Sequence, residues 1–235
     1  MQAITTATSG DVASRMPSVA VLPVGSFEQH GDHLPLATDT LIADVISRAV
    51  AEEYGLFALP PVTLSCSHEH AGFPGTVSIS ARTLTAIIDD VRESLARTGI
   101  AHLVLVNGHG GNYVLSNIAQ EANVDGARVA LFPGRVDFDI ARARAGMVTN
   151  ASEDMHAGEW ETSFLLHACP TVVRPTYVDG DFDAPKRPHI LITGMGGYSE
   201  TGVIGRPSAA TAAKGKLALQ SLVETFRDTL DALTG

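Results

Sequence analysis

The chain has 235 residues, 45% of them hydrophobic and 18% charged, which is enough for one sizeable core and short for two full domains. Lys and Arg number 16 against 26 Asp and Glu, and the net charge of −10 repels phosphate backbones, so a nucleic-acid partner is excluded. The opening stretch MQAITTATSG has neither a basic start nor an apolar run, and no later run is long and apolar enough to span a membrane, so a cytoplasmic protein without a leader is expected.

In chain order, residues 19–24 (VAVLPV) predict a buried strand. Leu41, Ile42, Val45, Ile46, Ala49 and Val50 recur at helical spacing and predict a helix over 40–53. Residues 57–62 suit a second strand that Pro60 and Pro61 cut short. Leu84, Ile87, Ile88, Val91 and Leu95 predict a helix over 83–97, HLVLV a strand over 102–106, and RVALF a strand over 128–132, with a helix over 112–123 between them. Residues 134–156 carry no regular pattern, 159–168 are helical, and 189–193 suit a strand. A glycine-rich stretch, 194–205, precedes a last helix over 208–233, with Ser208 as its N-cap. This alternation predicts an α/β fold around a mainly parallel sheet, in one domain spanning residues 1–235. Cys66 and Cys169 lie in no Cys-x-x-Cys pair and are expected as free thiols, and the lone Trp160 as core.

Three polar segments carry the chemistry. GSFEQHGDHLPLATDT (25–40) leaves the first strand; Glu28 and His30, two apart, share one side of an extended backbone, and Asp39 opens the next helix. Two carboxylates and an imidazole suit Zn²⁺, Mn²⁺ or Fe²⁺. NGHGGN (107–112) leaves the strand HLVLV and centres on His109. In an open parallel sheet such loops gather at the carboxyl edge, where ligands bind, so the two segments can meet. DMHAGEWETS (154–163) adds His156, Glu159 and Glu161 near a helix start, where carboxylates are common without any function. His68, Glu69 and His70 form a fourth cluster, read either as pocket lining or as surface; His102, His167 and His189 are read as structural, and Asn107 and Asn112 as loop braces.

With these segments in view, the chain resembles the creatininase family of metal-dependent amidohydrolases. The shared pattern is PVGSFEQHGDHLPLATDT, HEHAGFPGT, NGHGGN, HAGEWETS and SETGVIGRPSAATAAKG, together spanning residues from about 20 to 215. The resemblance implies a three-layer α/β/α fold, a homo-oligomer, often a hexamer, and one or two divalent ions per subunit. It implies that Glu28 and Asp39 are metal ligands with Asp39 bridging two ions, that His109 binds the first ion and His30 the second, and that His156 lies over the metals against substrate. In creatininase itself the NGH motif continues with Tyr and a metal-binding Glu; here Gly110 and Gly111 stand there, so one ligand and one substrate-contacting ring are absent. Glu161, an acid fixed on a regular element of a shared motif, is the expected replacement ligand.

The implied activity is hydrolysis of a carbon–nitrogen bond, other than a typical peptide bond, by a metal-activated water in a small molecule or modified peptide. Gly110 and Gly111 N–H groups are expected as oxyanion donors, and His156 and Glu161 as the catalytic side chains. Two branches share the NGHGGN form: a formamidopyrimidine deformylase and the creatininase-like peptidase of the mycofactocin system. ETSFLLHACPTVVR and SETGVIGRPSAATAAKG are most similar to the latter. Deformylation needs a phosphate patch, for which Arg82, Arg135, Lys186 and Arg187 are the basic candidates. Creatinine hydrolysis remains an alternative, as does a non-catalytic metal- or ligand-binding protein on the same fold, against which Glu28, His30, Asp39 and His109 all count.

Overall fold

The computed structural model describes residues 5–235; the first four, part of the stretch read above for a leader, lie outside the described residues. Four strands, β1 (Val19–Val24), β2 (Phe57–Ala58), β3 (His102–Asn107) and β4 (Val129–Phe132), form one parallel sheet in the order β2-β1-β3-β4. The helices are α1 (Ser9–Arg15), α2 (Thr38–Tyr54), α3 (Ala81–Arg97), α4 (Val114–Ala122), α5 (Arg135–Arg144), α6 (Glu159–Ala168), α7 (Ile190–Thr193) and α8 (Ala212–Thr234).

Every residue of β1 is buried, as expected of a central parallel strand covered on both faces. Val19 and Val21 of β1, with Val104 and Val106 of β3, face one way and meet Ile42, Ile46 and Val50 of α2, Phe164 of α6, and Leu222 and Phe226 of α8. Ala20, Leu22, Val24, Leu103 and Leu105 face the other way and meet Leu84 and Ile88 of α3 and Leu115 and Ile118 of α4. The result is a three-layer α/β/α sandwich. The chain leaves β1 through α2 on the first face to reach β2, then crosses by α3 on the second face to reach β3 on the other side of β1. The connections leaving β1 and β3 therefore diverge, and a crevice opens between them at the carboxyl edge of the sheet.

Five segments differ from the sequence reading. The strand expected over 57–62 is only Phe57–Ala58, because Pro60 and Pro61 have no N–H to give; pairing resumes where Val62 N donates to Pro23 O at 2.9 Å. Residues 134–156, read as irregular, contain α5, whose buried residues are only Ala141 and Arg142, so no apolar stripe announces it. Residues 189–193, read as a strand, form the short helix α7, closed by Gly194 at φ 65°, with Leu191 and Ile192 largely exposed instead of inserted in the sheet. The last helix starts at Ala212 and is capped by Thr211, whose Oγ1 accepts Lys214 N at 3.2 Å; Ser208 lies in a preceding 3₁₀ turn and donates its hydroxyl to Asp181 Oδ2 at 2.6 Å. The unpredicted α1 rests on a capping box between Thr8 and Asp11 and buries nothing. Trp160 lies in the core against Phe138 and Phe164, and both cysteines are free. Among the described residues no helix is long and apolar enough to cross a membrane.

Candidate metal centre

The crevice is built by three chain segments. The loop after β1 brings Ser26, Glu28, Gln29 and His30; the first turn of α2 brings Asp39; the loop after β3 brings His109. The last two meet because position 108 is glycine: a Cβ there would lie 2.3 Å from the backbone oxygen of Asp39. Asn107 holds the loop by accepting His109 N at 3.2 Å and donating to His109 O at 2.8 Å, while Asn112 donates to Gly25 O at 3.2 Å and accepts Cys66 N at 3.2 Å. The two asparagines thus tie three loops together. From the opposite side, the chain before α6 turns through Ala157 at φ 54°, a sparsely populated conformation for a residue with a Cβ, between His156 and the helix that carries Glu161.

The side chains converge closely. His109 Nδ1 lies 3.1 Å from Glu28 Oε1 and 3.2 Å from Asp39 Oδ2. His30 Nε2 lies 3.1 Å from Asp39 Oδ1 and 3.8 Å from Glu161 Oε2. Glu28–Asp39–His109 and His30–Asp39–Glu161 each offer three ligand atoms within 4.8 Å of one another and share Asp39; Glu28–His30–His156 is a third such group. Glu161 Oε2 also accepts Ala157 N at 2.6 Å.

Two observations fit this donor set to a divalent cation. Glu28 is fully buried, yet neither of its carboxylate oxygens accepts a hydrogen bond of good geometry, a costly state for a charge without a counter-ion. The histidines are also oriented as ligands. His30 Nδ1 donates to Glu28 O at 3.0 Å, His109 Nε2 to Cys66 O at 2.9 Å, and His156 Nε2 to Gln29 O at 2.6 Å. In the neutral ring each donation leaves the other nitrogen with its lone pair toward the carboxylates, the arrangement by which backbone carbonyls fix metal-binding tautomers.

Electrostatics carries the same signature. Burial opposes charge on His30, but Asp39, Glu161 and Glu28 push its pKa up to about 9. Burial likewise opposes charge on His109, and Glu28, Asp39 and Glu69 outweigh it to raise it well above the ordinary value. Asp39, despite burial, is held well below the usual carboxylate range by His30 and His109. Burial raises the Glu161 carboxyl, His30 draws it back, and with Asp39 close by it settles at about 8. Concentrated negative charge thus draws protons into the positions where a cation would bind. His156 behaves oppositely: burial, then the charges of His30 and His70, hold it well below its ordinary value.

Glu28, His30, Asp39, His109, His156 and Glu161 all come to this crevice. Glu159 does not. It turns away, accepting Lys214 Nζ at 2.5 Å and Thr149 Oγ1 at 2.6 Å. Of the His68–Glu69–His70 cluster, His68 is exposed, while His70 is buried with Nε2 3.3 Å from Glu28 Oε1 and Nδ1 accepting Gln29 Nε2 at 3.0 Å. Three participants went unremarked in the sequence: Ser26, which donates to Asp39 Oδ2 at 2.6 Å; Gln29, which holds both His70 and His156; and His33, buried and donating to Ala157 O at 2.9 Å. Ser26 and Gln29 sit inside the first motif, two positions from a recognised acid or beside one, and that adjacency was the available signal.

A family model described as "Creatininase: Creatinine amidohydrolase" matches residues 5–230. The chain belongs to the creatininase family. As a creatininase-family protein it is a metal-dependent hydrolase of carbon–nitrogen bonds. It is 38% identical over 234 residues to the mycofactocin precursor peptide peptidase of Mycolicibacterium smegmatis, covering 95% of this chain and 88% of that one. It is 29% identical over 236 residues to the creatinine amidohydrolase of Pseudomonas putida, covering 90% and 88%. A solved mutant creatininase of Zn–Zn type is 26% identical with a TM-score of 0.80, covering 96% of this chain and 95% of that one.

Proposed function

We propose that this creatininase-family hydrolase cleaves an amide bond in a small modified peptide, with two donor sets that would each hold a divalent ion. The observation that carries the reading is the pair of donor sets that share Asp39, with His156 buried beside them. Glu28, Asp39 and His109 would hold the first ion, and His30, Asp39 and Glu161 the second, with Glu161 taking the ligand role lost at Gly111. Zn²⁺, Mn²⁺ and Fe²⁺ all suit carboxylate–imidazole sites, and the similar Zn–Zn structure favours zinc. When bound, such ions polarise a carbonyl and lower the pKa of a water to near neutrality.

The remaining chemistry falls to the chain. His156, with Nε2 committed to Gln29 O, would accept at Nδ1 the proton that the attacking water gives up and deliver it to the departing nitrogen. Gly110 and Gly111 N–H groups would stabilise the developing oxyanion.

A peptide is favoured over creatinine or a nucleotide by the surroundings. A cavity of about 240 Å³ over His109, His156 and Glu161 adjoins one of about 330 Å³ lined by Tyr113, Val114, Leu191 and Ile192. A third, of about 250 Å³, lies on the Phe138 and Trp160 side and shares Gly110, Met155, His156 and Glu161 with the first. Room on both sides of the reacting position suits an extended chain. Arg82, Arg135, Lys186 and Arg187 line none of these three, which counts against a phosphate-bearing substrate. The greater identity to the peptidase than to the creatinine amidohydrolase points the same way. The setting we propose is a cytoplasmic homo-oligomer of this single domain. Metal analysis of the purified protein, followed by mass-spectrometric assay of short apolar peptides, creatinine and formylaminopyrimidines, tests the reading; turnover of creatinine alone would refute the peptide assignment.

A further inference from the structure

Gly111 is a glycine for reasons of space. Its φ is not among the positive values that single out glycine elsewhere in the chain, so backbone conformation does not demand it. A Cβ at 111 would instead lie 1.9 Å from Glu69 Oε1 and 2.3 Å from His109 Nε2. The Glu69 carboxylate therefore fills the volume that a side chain at 111 would take. It comes from the 3₁₀ turn His68–His70, a segment separate from both loops that carry the candidate ligands.

From that place Glu69 Oε1 lies 3.4 Å from His109 Nε2, the nitrogen that donates to Cys66 O and points away from Glu28 and Asp39. A neutral imidazole carries one N–H. With a carbonyl and a carboxylate both beside Nε2, the proton is stabilised there, and Nδ1 keeps its lone pair for an ion. A negative charge behind the ring also raises the basicity of Nδ1. We propose that Glu69 is a positioning residue for His109, acting through Nε2 to fix the ring's tautomer and strengthen its hold on the first ion, and that Gly111 is required to leave Glu69 its place. This rests on the assignment of His109 as a metal ligand made above.

The test is a competitive titration of metal-stripped wild type, Glu69→Ala, Glu69→Gln, Glu69→Asp and Gly111→Ala with Zn²⁺ against a chromophoric chelator, with kcat and KM on the best peptide. Glu69→Ala is expected to weaken the first-ion site about 10–100-fold, the usual cost of losing an outer partner of a metal-bound histidine. Glu69→Gln, similar in shape but uncharged, should fall between Ala and wild type, and Glu69→Asp should recover part of the loss. Gly111→Ala, whose Cβ would press on the His109 ring as well as on Glu69, should weaken the first-ion site at least as much as Glu69→Ala. Zinc affinity unchanged in both Glu69→Ala and Glu69→Gln overturns the proposal while leaving the metal site intact. So does a rise in KM alone, which would make Glu69 a substrate contact. A wild type that binds no zinc overturns both this role and the metal assignment beneath it.

Discussion

Two clusters of buried charge lie within a few residues of each other in this chain, and they are satisfied in opposite ways. In the first, Asp154 accepts Glu159 N at 2.6 Å, Trp160 N at 2.9 Å and Arg142 Nη2 at 2.6 Å, while Glu159 accepts Lys214 Nζ, Thr149 Oγ1 and the N–H groups of Val148 and Thr149. Each acid has a cation and several donors, and the cluster ties the start of α6 to α5 and α8. In the second, Glu28, Asp39 and Glu161 face histidines whose other ring nitrogens are already committed to backbone carbonyls, and Glu28 has no well-formed hydrogen bond. The lesson is that burial of acids does not by itself mark a site. What separates the two clusters is whether the protein's own groups complete them.

The predictions separate the two clusters by what each variant loses. Asp39→Ala, which takes an oxygen from both donor sets, should lose both ions and reduce turnover by more than the ~100-fold that an outer residue costs; elemental analysis showing stoichiometric metal would remove the bridging role. His156→Ala should retain metal and lose about 10²–10⁴-fold in turnover, the contribution of a positioned proton carrier; full activity would take His156 out of the mechanism. Lys214→Met leaves Glu159 buried with its cation gone and should cost about 3 kcal/mol in denaturant unfolding with metal content unchanged. A loss of metal there instead would merge the two clusters into one.

The smallest expected effect is a pH dependence. In metal-stripped protein the folded His30 has its pKa raised from 6.5 to about 9, and Glu161 its pKa raised from 4.5 to about 8. The folded state therefore binds more protons than the unfolded one across this range. Stability contributed by His30 is fully present below pH 6.5 and is lost as pH rises through about 9, and ionisation of Glu161 adds to the loss in the same direction. The melting temperature of stripped protein should fall between pH 6.5 and 9, and a saturating divalent ion should remove that fall. Glu159, whose carboxyl burial raises but Lys214 and Thr149 draw below its ordinary value, should contribute no slope in that window.

How much of this was legible in the sequence follows from where each residue sits. Glu28, His30 and His109 stand in loops directly after apolar strands and Asp39 opens the helix that follows, so an alternating α/β pattern places all four at one edge of the sheet. Glu161 and His156 were legible as a cluster, but Glu159 lies in the same cluster and points elsewhere; two positions along a helix turn the side chain by more than half a circle, and only the packing decides which acid faces inward. Glu69 and His70 were legible only as a cluster that suits either pocket lining or surface, because their segment follows no regular strand after Pro60 and Pro61 end β2; both line the cavity over His109 and His156. The helices α1 and α5 escaped because each buries almost nothing, and periodicity registers only burial. The run at 189–193 read as a strand because three apolar residues, Ile190 to Ile192, have too little length to tell a strand from a helix.

The central proposal is that Glu28, His30, Asp39, His109 and Glu161 form an incomplete charge cluster that two divalent ions would complete. Calorimetric titration of Zn²⁺ into metal-stripped wild type, alongside Asp39→Ala, tests it most directly. The account predicts two equivalents bound by wild type, with proton release, and no tight binding by Asp39→Ala. Wild type that takes up no zinc, or Asp39→Ala that takes up as much as wild type, would contradict it.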